Sequence, residues 1–256
     1  MDNLIRETIS RLTAINKHSE DTGWKEPLVA YARADDPLFA MLKQVISPTH
    51  ALPRDFLAEA RTVITYFLPF TDKVVESNKT GRFSSRTWAL AYIETNQLIG
   101  VINQHLQEQL IEQGYKAVFV PATHNFNQKT LLSDWSHRSA AYIAGLGTFG
   151  LNHMLITESG CCGRVGSLVT NLKLTPTPRY NRELCLHKAE GSCGRCAEKC
   201  VNDALSIEGL GKHKCYEMCL INAGQLSDLE SIADVCGKCL VGVPCSVAAP
   251  SSHQPV

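Results

Sequence analysis

The spacing of hydrophobic positions changes along the chain, and each spacing predicts an element. Leu4, Ile5, Ile9, Leu12 and Ile15 recur at helical intervals, which predicts an amphipathic helix over residues 3–17. Thr62–Leu68 (TVITYFL) is an unbroken β-branched and aromatic run ahead of Pro69, the pattern of a buried strand. Residues 72–83 are polar, contain Gly81 and predict a loop. From Ser84 to Gln113 the only Gly or Pro is Gly100, and Trp88, Ala91, Tyr92, Leu98, Ile99, Ile102, Leu106 and Leu110 form a helical stripe that Gly114 would stop. Lys116–Val120 (KAVFV) predicts a second strand, ended by Pro121. Strand, helix and strand in that order suggest an α/β layer with parallel pairing, because a helical crossover permits it. A further helix is expected over Ser133–Ala144, capped by Ser133, and strands over 151–157 (LNHMLIT) and 164–170 (RVGSLVT).

After Lys173 the pattern dissolves into TPTPRYN, and a domain boundary is placed between residues 178 and 179. The remainder is Gly-punctuated and cysteine-rich, with room for a longer element only around 217–224. The α/β part holds no internal repeat, whereas GSCGRC and DVCGKC echo one another. Composition then narrows the function classes. The 256 residues are 44% hydrophobic, which rules out a disordered chain. With 25 Lys+Arg against 25 Asp+Glu the chain has no basic surplus for holding nucleic acid through phosphates. No apolar run reaches 18 residues, so no membrane helix is expected. The N-terminus mixes both charges and lacks the apolar stretch of a signal peptide, so the cytoplasm is the expected location.

All 11 cysteines lie at or after Cys161. In a reducing compartment such density favours metal over disulfides. Cys185, Cys193, Cys196 and Cys200 form one run, with x7, x2 and x3 between them; Cys215 and Cys219 follow, then Cys236, Cys239 and Cys245 with x2 and x5. In two-cluster ferredoxins three thiolates of a run hold one [4Fe–4S] cube and the fourth serves the other cube. On that logic Cys185, Cys193, Cys196 and Cys245 hold cluster 1. Cluster 2 takes Cys200, Cys236 and Cys239 with either Cys215 or Cys219, and Cys161 and Cys162 are left over. One zinc site from the two C-x2-C pairs is the competing reading. The pairs are 39 residues apart, beyond the ribbon spacing of about 15–20, and zinc leaves Cys185, Cys200 and Cys245 unused.

Two segments, SCGRCAEKCVNDAL with the later Cys215, and AGLGTFGLNHMLIT at 144–157, resemble the epoxyqueuosine reductase family and its relatives the reductive dehalogenases. The resemblance spans about residues 60–245. It selects Cys215 over Cys219, because the family has an isolated Cys about 15 residues after its first run. It implies an α/β (α+β) chain: a nitroreductase-like corrinoid-processing-type domain over 1–178, then a small ferredoxin-like double [4Fe–4S] module over 179–256. It implies electrons from an external donor, such as a ferredoxin or flavodoxin, passing through two clusters to a bound cobalamin. A flavin is the less favoured cofactor. The chain departs from the family at Val201 and Ser246, where the family has Pro, and at Leu151, where it has Lys. The family's catalytic Asp falls near Leu131, with Asp134 close by. By the resemblance, no helical extension of the kind that helps grip tRNA is expected. A small molecule, or the corrinoid itself, is therefore the expected substrate rather than tRNA, with no membrane involved.

GLGTFG matches G-x-G-x-x-G, but a helix precedes it and a strand follows, the inverse of a dinucleotide-binding turn. Gly145, Leu146, Gly147, Gly150 and Asn152 are instead candidates for a turn against a flat cofactor, with a plain helix-to-strand turn as the alternative. Asp134, His137 and Arg138, at i, i+3 and i+4 of the expected helix, are candidates for a proton-donor patch, with Asp134 and His137 as catalytic residues; a solvated helix end is the alternative. His124 and His153 are candidates for a polar chamber wall. Phe83, Trp88 and Tyr92 could line a flat site or fill a core. The expected function is an iron–sulfur oxidoreductase. A ferredoxin-like electron-transfer subunit without corrinoid, delivering electrons to a partner protein, is the alternative.

Overall fold

The computed structural model describes residues 1–16, 20–121 and 126–250. In chain order the elements begin with α1 (Asp2–Ile15), β1 (Leu28–Arg33), α2 (Pro37–Val45), α3 (Pro53–Phe56), β2 (Thr62–Pro69), α4 (Asp72–Ser77), α5 (Arg86–Glu112) and β3 (Ala117–Phe119). They continue with β4 (Phe126–Asn127), β5 (Leu132–Ser133), α6 (His137–Ile143), β6 (Thr148–Phe149), β7 (Leu155–Ile156) and β8 (Gly163–Thr170). The cysteine-rich part adds α7 (Leu186–Glu190), α8 (Arg195–Glu198), β9 (Leu205–Ser206), β10 (Gly209–Leu210), α9 (Lys212–Gln225) and a 3-10 turn at Lys238–Leu240.

The main sheet has the order β1-β2-β8-β3, and every neighbouring pair is antiparallel. The parallel pairing expected for β2 and β3 does not occur. The two strands do run in the same direction, but β8 lies between them and bonds to both. All eight residues of β2 are buried, as its continuous apolar run requires of a strand covered on both faces. Its side chains alternate. Ile64, Tyr66 and Leu68 face the core formed with α1 and α5, while Val63 and Phe67 face the core formed with α2 and α6.

The long helix α5 is capped by Ser85, whose hydroxyl accepts from the Trp88 N–H. It stops before Gly114, which takes a positive φ of 81°. Its stripe of Leu98, Ile99, Ile102 and Leu106 is fully buried, and each such side chain contributes about 1.5–3 kcal/mol. Residues 72–77, expected as loop, form α4, because Val74 and Val75 turn inward. The predicted helix 133–144 begins only at His137: Ser136, not Ser133, accepts from the Ser139 N–H. The expected strand 151–157 shrinks to β7, paired with β6 in a short hairpin. Among the described residues no helix is long and apolar enough to cross a membrane.

The expected boundary at 178/179 falls in a stretch without regular structure. The residues beyond it nonetheless share the larger core. Leu184, Cys185, Cys196, Leu205, Leu240, Val241 and Val243 pack in the same cluster as Ile64, Trp88 and Ile156.

Candidate metal-thiolate site

All 11 cysteines are free thiols. Cys185, Cys193, Cys196 and Cys245 line one cleft with Gly150, Leu151, Asn152, Val243 and Pro244. The cleft encloses about 340 Å³ of space between atoms, part of it open to solvent, and its wall is almost wholly apolar. Short elements bring the four sulfurs there. Cys185 caps α7, which ends at Gly191 in the left-handed region, Cys196 sits in α8, and Cys245 follows the 3-10 turn. Burial pushes the Cys196 thiol up to about 12, and the neighbouring Cys245, Cys185 and Cys193 add to the shift.

Cys200, Cys215, Cys236 and Cys239 form a second group. Burial raises Cys239, and Cys215, Cys236, Cys196 and Cys200 all lie near enough to raise it further. Cys196 and Cys239 are thus where the two groups meet. The Cys200 sulfur accepts two backbone N–H bonds, from Ala204 at 3.2 Å and Leu205 at 3.3 Å. Cys215 and Cys219, one turn apart on α9, share a proton. The Cys219 S–H holds Cys215 down at about 7, with Arg138 helping, and the same bond with burial pushes Cys219 up. Among the described residues no three His, Cys, Asp or Glu side chains converge on a point that would hold a single ion.

The loop carrying Cys236 and Cys239 is clamped to the α/β layers. Gly237 has φ +71°, and a Cβ there would lie 2.3 Å from the Trp88 ring. The buried Lys238 ammonium donates to the carbonyls of Asn78 at 2.9 Å and Thr80 at 2.7 Å. Asn78 in turn donates to the Cys236 carbonyl at 2.9 Å. Cys161 and Cys162 flank the first group: their N–H groups bond to the 245–246 backbone, and the Cys161 and Cys245 sulfurs are 4.0 Å apart.

Of the five turn residues singled out for a flat cofactor, Gly150 and Asn152 line the thiol cleft. The other three are packed within the chain. A Cβ on Gly145 would lie 2.6 Å from the Pro178 carbonyl oxygen and one on Gly147 2.0 Å from that of Ile156, while Leu146 is buried. The chain's own backbone takes up the space that these two glycines leave.

Asp134, His137 and Arg138 do not share a helix face, because α6 starts after Asp134. Asp134 accepts from the Thr49 hydroxyl at 2.5 Å, away from the thiols. His137 turns inward onto the Ser167 hydroxyl at 2.7 Å and the Pro121 carbonyl at 3.1 Å, and burial brings its pKa down to about 4. Arg138 is exposed like Asp134 and donates to the His153 carbonyl at 2.8 Å and the Met154 sulfur at 3.1 Å. His153 is exposed; burial of its ring, then Lys188, Arg138 and Lys212, lower its pKa. His124 lies outside the described residues. Phe83 is exposed and Trp88 is core. The Tyr92 hydroxyl donates to Asp234 at 2.6 Å, and the Arg164 guanidinium lies 4.4 Å from its ring centre. Arg164 escaped the sequence reading, although a charge inside the apolar run RVGSLVT was a readable signal.

No protein-family model matches the chain, and no curated protein matches it in sequence. Solved structures do match in shape. A selenomethionine-labelled epoxyqueuosine reductase aligns over 99% of this chain and 68% of its own, with a TM-score of 0.58 and 16% identity. The epoxyqueuosine reductase of Streptococcus thermophilus aligns over 100% and 69%, with a TM-score of 0.54 and 15% identity. The chain shares the epoxyqueuosine reductase fold. A catabolic reductive dehalogenase, NpRdhA, in complex with 3-bromo-4-hydroxybenzoic acid, aligns over 96% of this chain but 37% of its own, with a TM-score of 0.57 and 14% identity. At these identities the likeness is one of fold, a mixed α/β architecture.

Proposed function

We propose that this chain is an iron–sulfur oxidoreductase that delivers single electrons to a substrate bound beside its thiol groups. The observation that supports the reading is that Cys185, Cys193, Cys196 and Cys245 line one cleft, while Cys200, Cys215 and Cys236 lie near Cys239 and Cys196. Two [4Fe–4S] cubes require eight thiolates. Cys185, Cys193, Cys196 and Cys245 would hold the first, and Cys200, Cys215, Cys236 and Cys239 the second. The residues suit that role. The first group has an apolar wall, Cys200 receives two N–H···S bonds, and Arg138 favours the Cys215 thiolate. Apolar burial and N–H···S bonds are among the levers that set a cluster's potential. The clusters, when bound, supply one-electron transfer, fed by an external donor such as a ferredoxin or flavodoxin. The α/β layers position the receiving group and, through Arg138 and Arg164, give its surroundings a positive charge.

The resemblance adds cobalamin, whose cobalt would act as the reductant. The glycine turn leaves no room for it against Gly145 or Gly147, so a corrinoid would have to sit away from those two glycines. That packing also favours a second reading, an electron-transfer protein without corrinoid. The test is elemental analysis of protein purified anaerobically from cells supplied with cobalamin. About eight irons per chain with near-stoichiometric cobalt supports the corrinoid-dependent reductase. The same iron without cobalt moves the reading to a flavin-dependent reductase or an electron carrier, which the flavin absorbance separates. Zinc without iron overturns all of these.

A further inference from the structure

Cys161 and Cys162 stand outside both thiol groups, and both are buried. Their sulfurs face different things. The Cys162 S–H donates to the Leu240 carbonyl at 3.2 Å, a carbonyl that the Ser246 hydroxyl also holds at 2.6 Å. The Cys161 sulfur lies 4.0 Å from the Cys245 sulfur, and the Asn152 side-chain amide donates to it at 3.9 Å. Cys161 is 1% exposed, whereas Cys245 lines the cleft that is partly open to solvent.

The backbone fixes this meeting, because residues 160–162 lie against residues 245–247. The Cys161 N–H donates to the Cys245 carbonyl at 2.9 Å and the Ser246 carbonyl at 3.1 Å, and the Cys162 N–H to the Ser246 carbonyl at 3.0 Å. Gly160 permits the approach: it has φ +78°, and a Cβ there would lie 2.4 Å from the Ser246 carbonyl oxygen. A direct N–H···O=C bond between two residues keeps their Cα atoms inside the about 4.4–6.8 Å that a disulfide spans. The two sulfurs need close by only about 2 Å to reach the S–S bond length.

We propose that Cys161 is a resolving thiol for Cys245: in the metal-free chain the two form a reversible disulfide that withdraws Cys245 from the first thiol group. The pairing rests on these contacts alone, and its regulatory consequence rests on the iron–sulfur reading above. The oxidant is a low-molecular-weight disulfide. The Cys245 sulfur, the accessible one, attacks a sulfur of that molecule, which forms a mixed disulfide and releases one small thiol. The Cys161 sulfur then attacks Cys245, the Cys161–Cys245 bond forms, and the second small thiol leaves. Two protein thiols are oxidised, one small disulfide is reduced to two thiols, and the two protons go with those thiols. Iron and the disulfide compete for one sulfur, so each excludes the other. The disulfide also guards Cys245 from irreversible oxidation while no metal covers it.

The test uses the full-length chain in two forms, iron-loaded and stripped of iron by a chelator under reductant. Both are treated anaerobically with glutathione disulfide. Free thiols are alkylated, and unreduced peptides are mapped by mass spectrometry to find the partner of Cys245. In the stripped chain that partner is expected to be Cys161, and dithiothreitol should reverse the bond. The iron-loaded chain should show no such bond while it keeps about eight irons. Cys161→Ser should load the same iron but leave Cys245 without a partner in the chain, and Cys162→Ser should form the bond unchanged. Circular dichroism shows that both variants fold, and the mapping of the unsubstituted chain stands without them. A Cys161–Cys162 bond, a bond from Cys245 to Cys185, Cys193 or Cys196, or no bond at Cys245 overturns the proposal. So does a Cys161–Cys245 bond in a chain that retains all its iron. The two readings fail separately. Full iron loading with no Cys161–Cys245 bond after stripping sinks the disulfide alone, and the bond in a chain that takes up no iron sinks the iron–sulfur reading alone.

Discussion

Replacing Gly237 by Ala should release the second thiol group while leaving the sheet layers folded. Gly237 stands between Cys236 and Lys238 at φ +71°. A side chain in the left-handed region costs about 1–2 kcal/mol. The added Cβ would also lie 2.3–2.5 Å from three atoms of the Trp88 indole. That ring is fixed: it is 2% exposed and meets Phe70 edge-on at 5.1 Å. Overpacking of this kind costs about 1–3 kcal/mol, so the expected total is about 2–5 kcal/mol. The loop can relieve this by lifting Cys236 and Cys239 away from Cys200 and Cys215. Iron per chain should then fall from about eight to about four, since one cube loses its ligands, with a lower urea midpoint. Gly194 provides the control, because it holds the same place in the other C-x2-C run. It has φ −126° and only Ile207 within reach, at 3.8 Å. Gly194→Ala should keep its iron and shift stability by less than about 0.5 kcal/mol. If the Gly237 variant keeps full iron and an unchanged midpoint, the clamping of this loop by Trp88 is wrong.

Further outcomes follow from the same contacts. Cys196→Ala should lose about four irons, whereas Cys161→Ala should keep all of them despite its 4.0 Å approach to Cys245; iron and sulfide analysis separates the two. Gly145→Ala, at φ +86° with its Cβ 2.6 Å from the Pro178 carbonyl oxygen, should destabilise the chain by about 2–5 kcal/mol, read as a lower urea midpoint, without changing iron content. His137 carries a depressed pKa, about 4 against an ordinary 6.5, through burial. Below pH 6.5 the unfolded chain binds a proton that the folded chain refuses. Stability should thus fall by about 3 kcal/mol as pH drops from 6.5 to 4. His137→Gln should flatten that slope in urea titrations.

The parts of the fold legible in sequence were those whose cause is local. The β2 run and the α5 stripe announce themselves because one strand buried on both faces and one long helix need little context. The position of β8 between β2 and β3 was not legible, since antiparallel insertion is decided by partners distant in the chain. The α4 segment DKVVES reads as polar until the two valines find a buried face. The division of the cysteines into two sets was read from their spacing alone, which constrains which thiols can come together. The three residues Asp134, His137 and Arg138 could not be placed, because a three-residue shift in the start of α6 sends each a different way. The glycine turn misled for a related reason: sequence shows that a Cβ is missing but not what occupies its place.

The shared interior of the cysteine segment and the helical layers has a thermal consequence. Leu184, Cys196, Leu240 and Val241 stand in the same apolar cluster as Trp88 and Ile156, so the segment cannot come loose without opening a hole beneath α5. On the iron–sulfur reading, iron held by its thiols would act as a ligand of the whole native chain, its binding free energy adding to the folding of both parts. Heating iron-loaded protein should accordingly bleach the cluster absorbance and unfold the helices in a single transition. The temperature of that transition becomes a gauge of how much of the sample carries its metal.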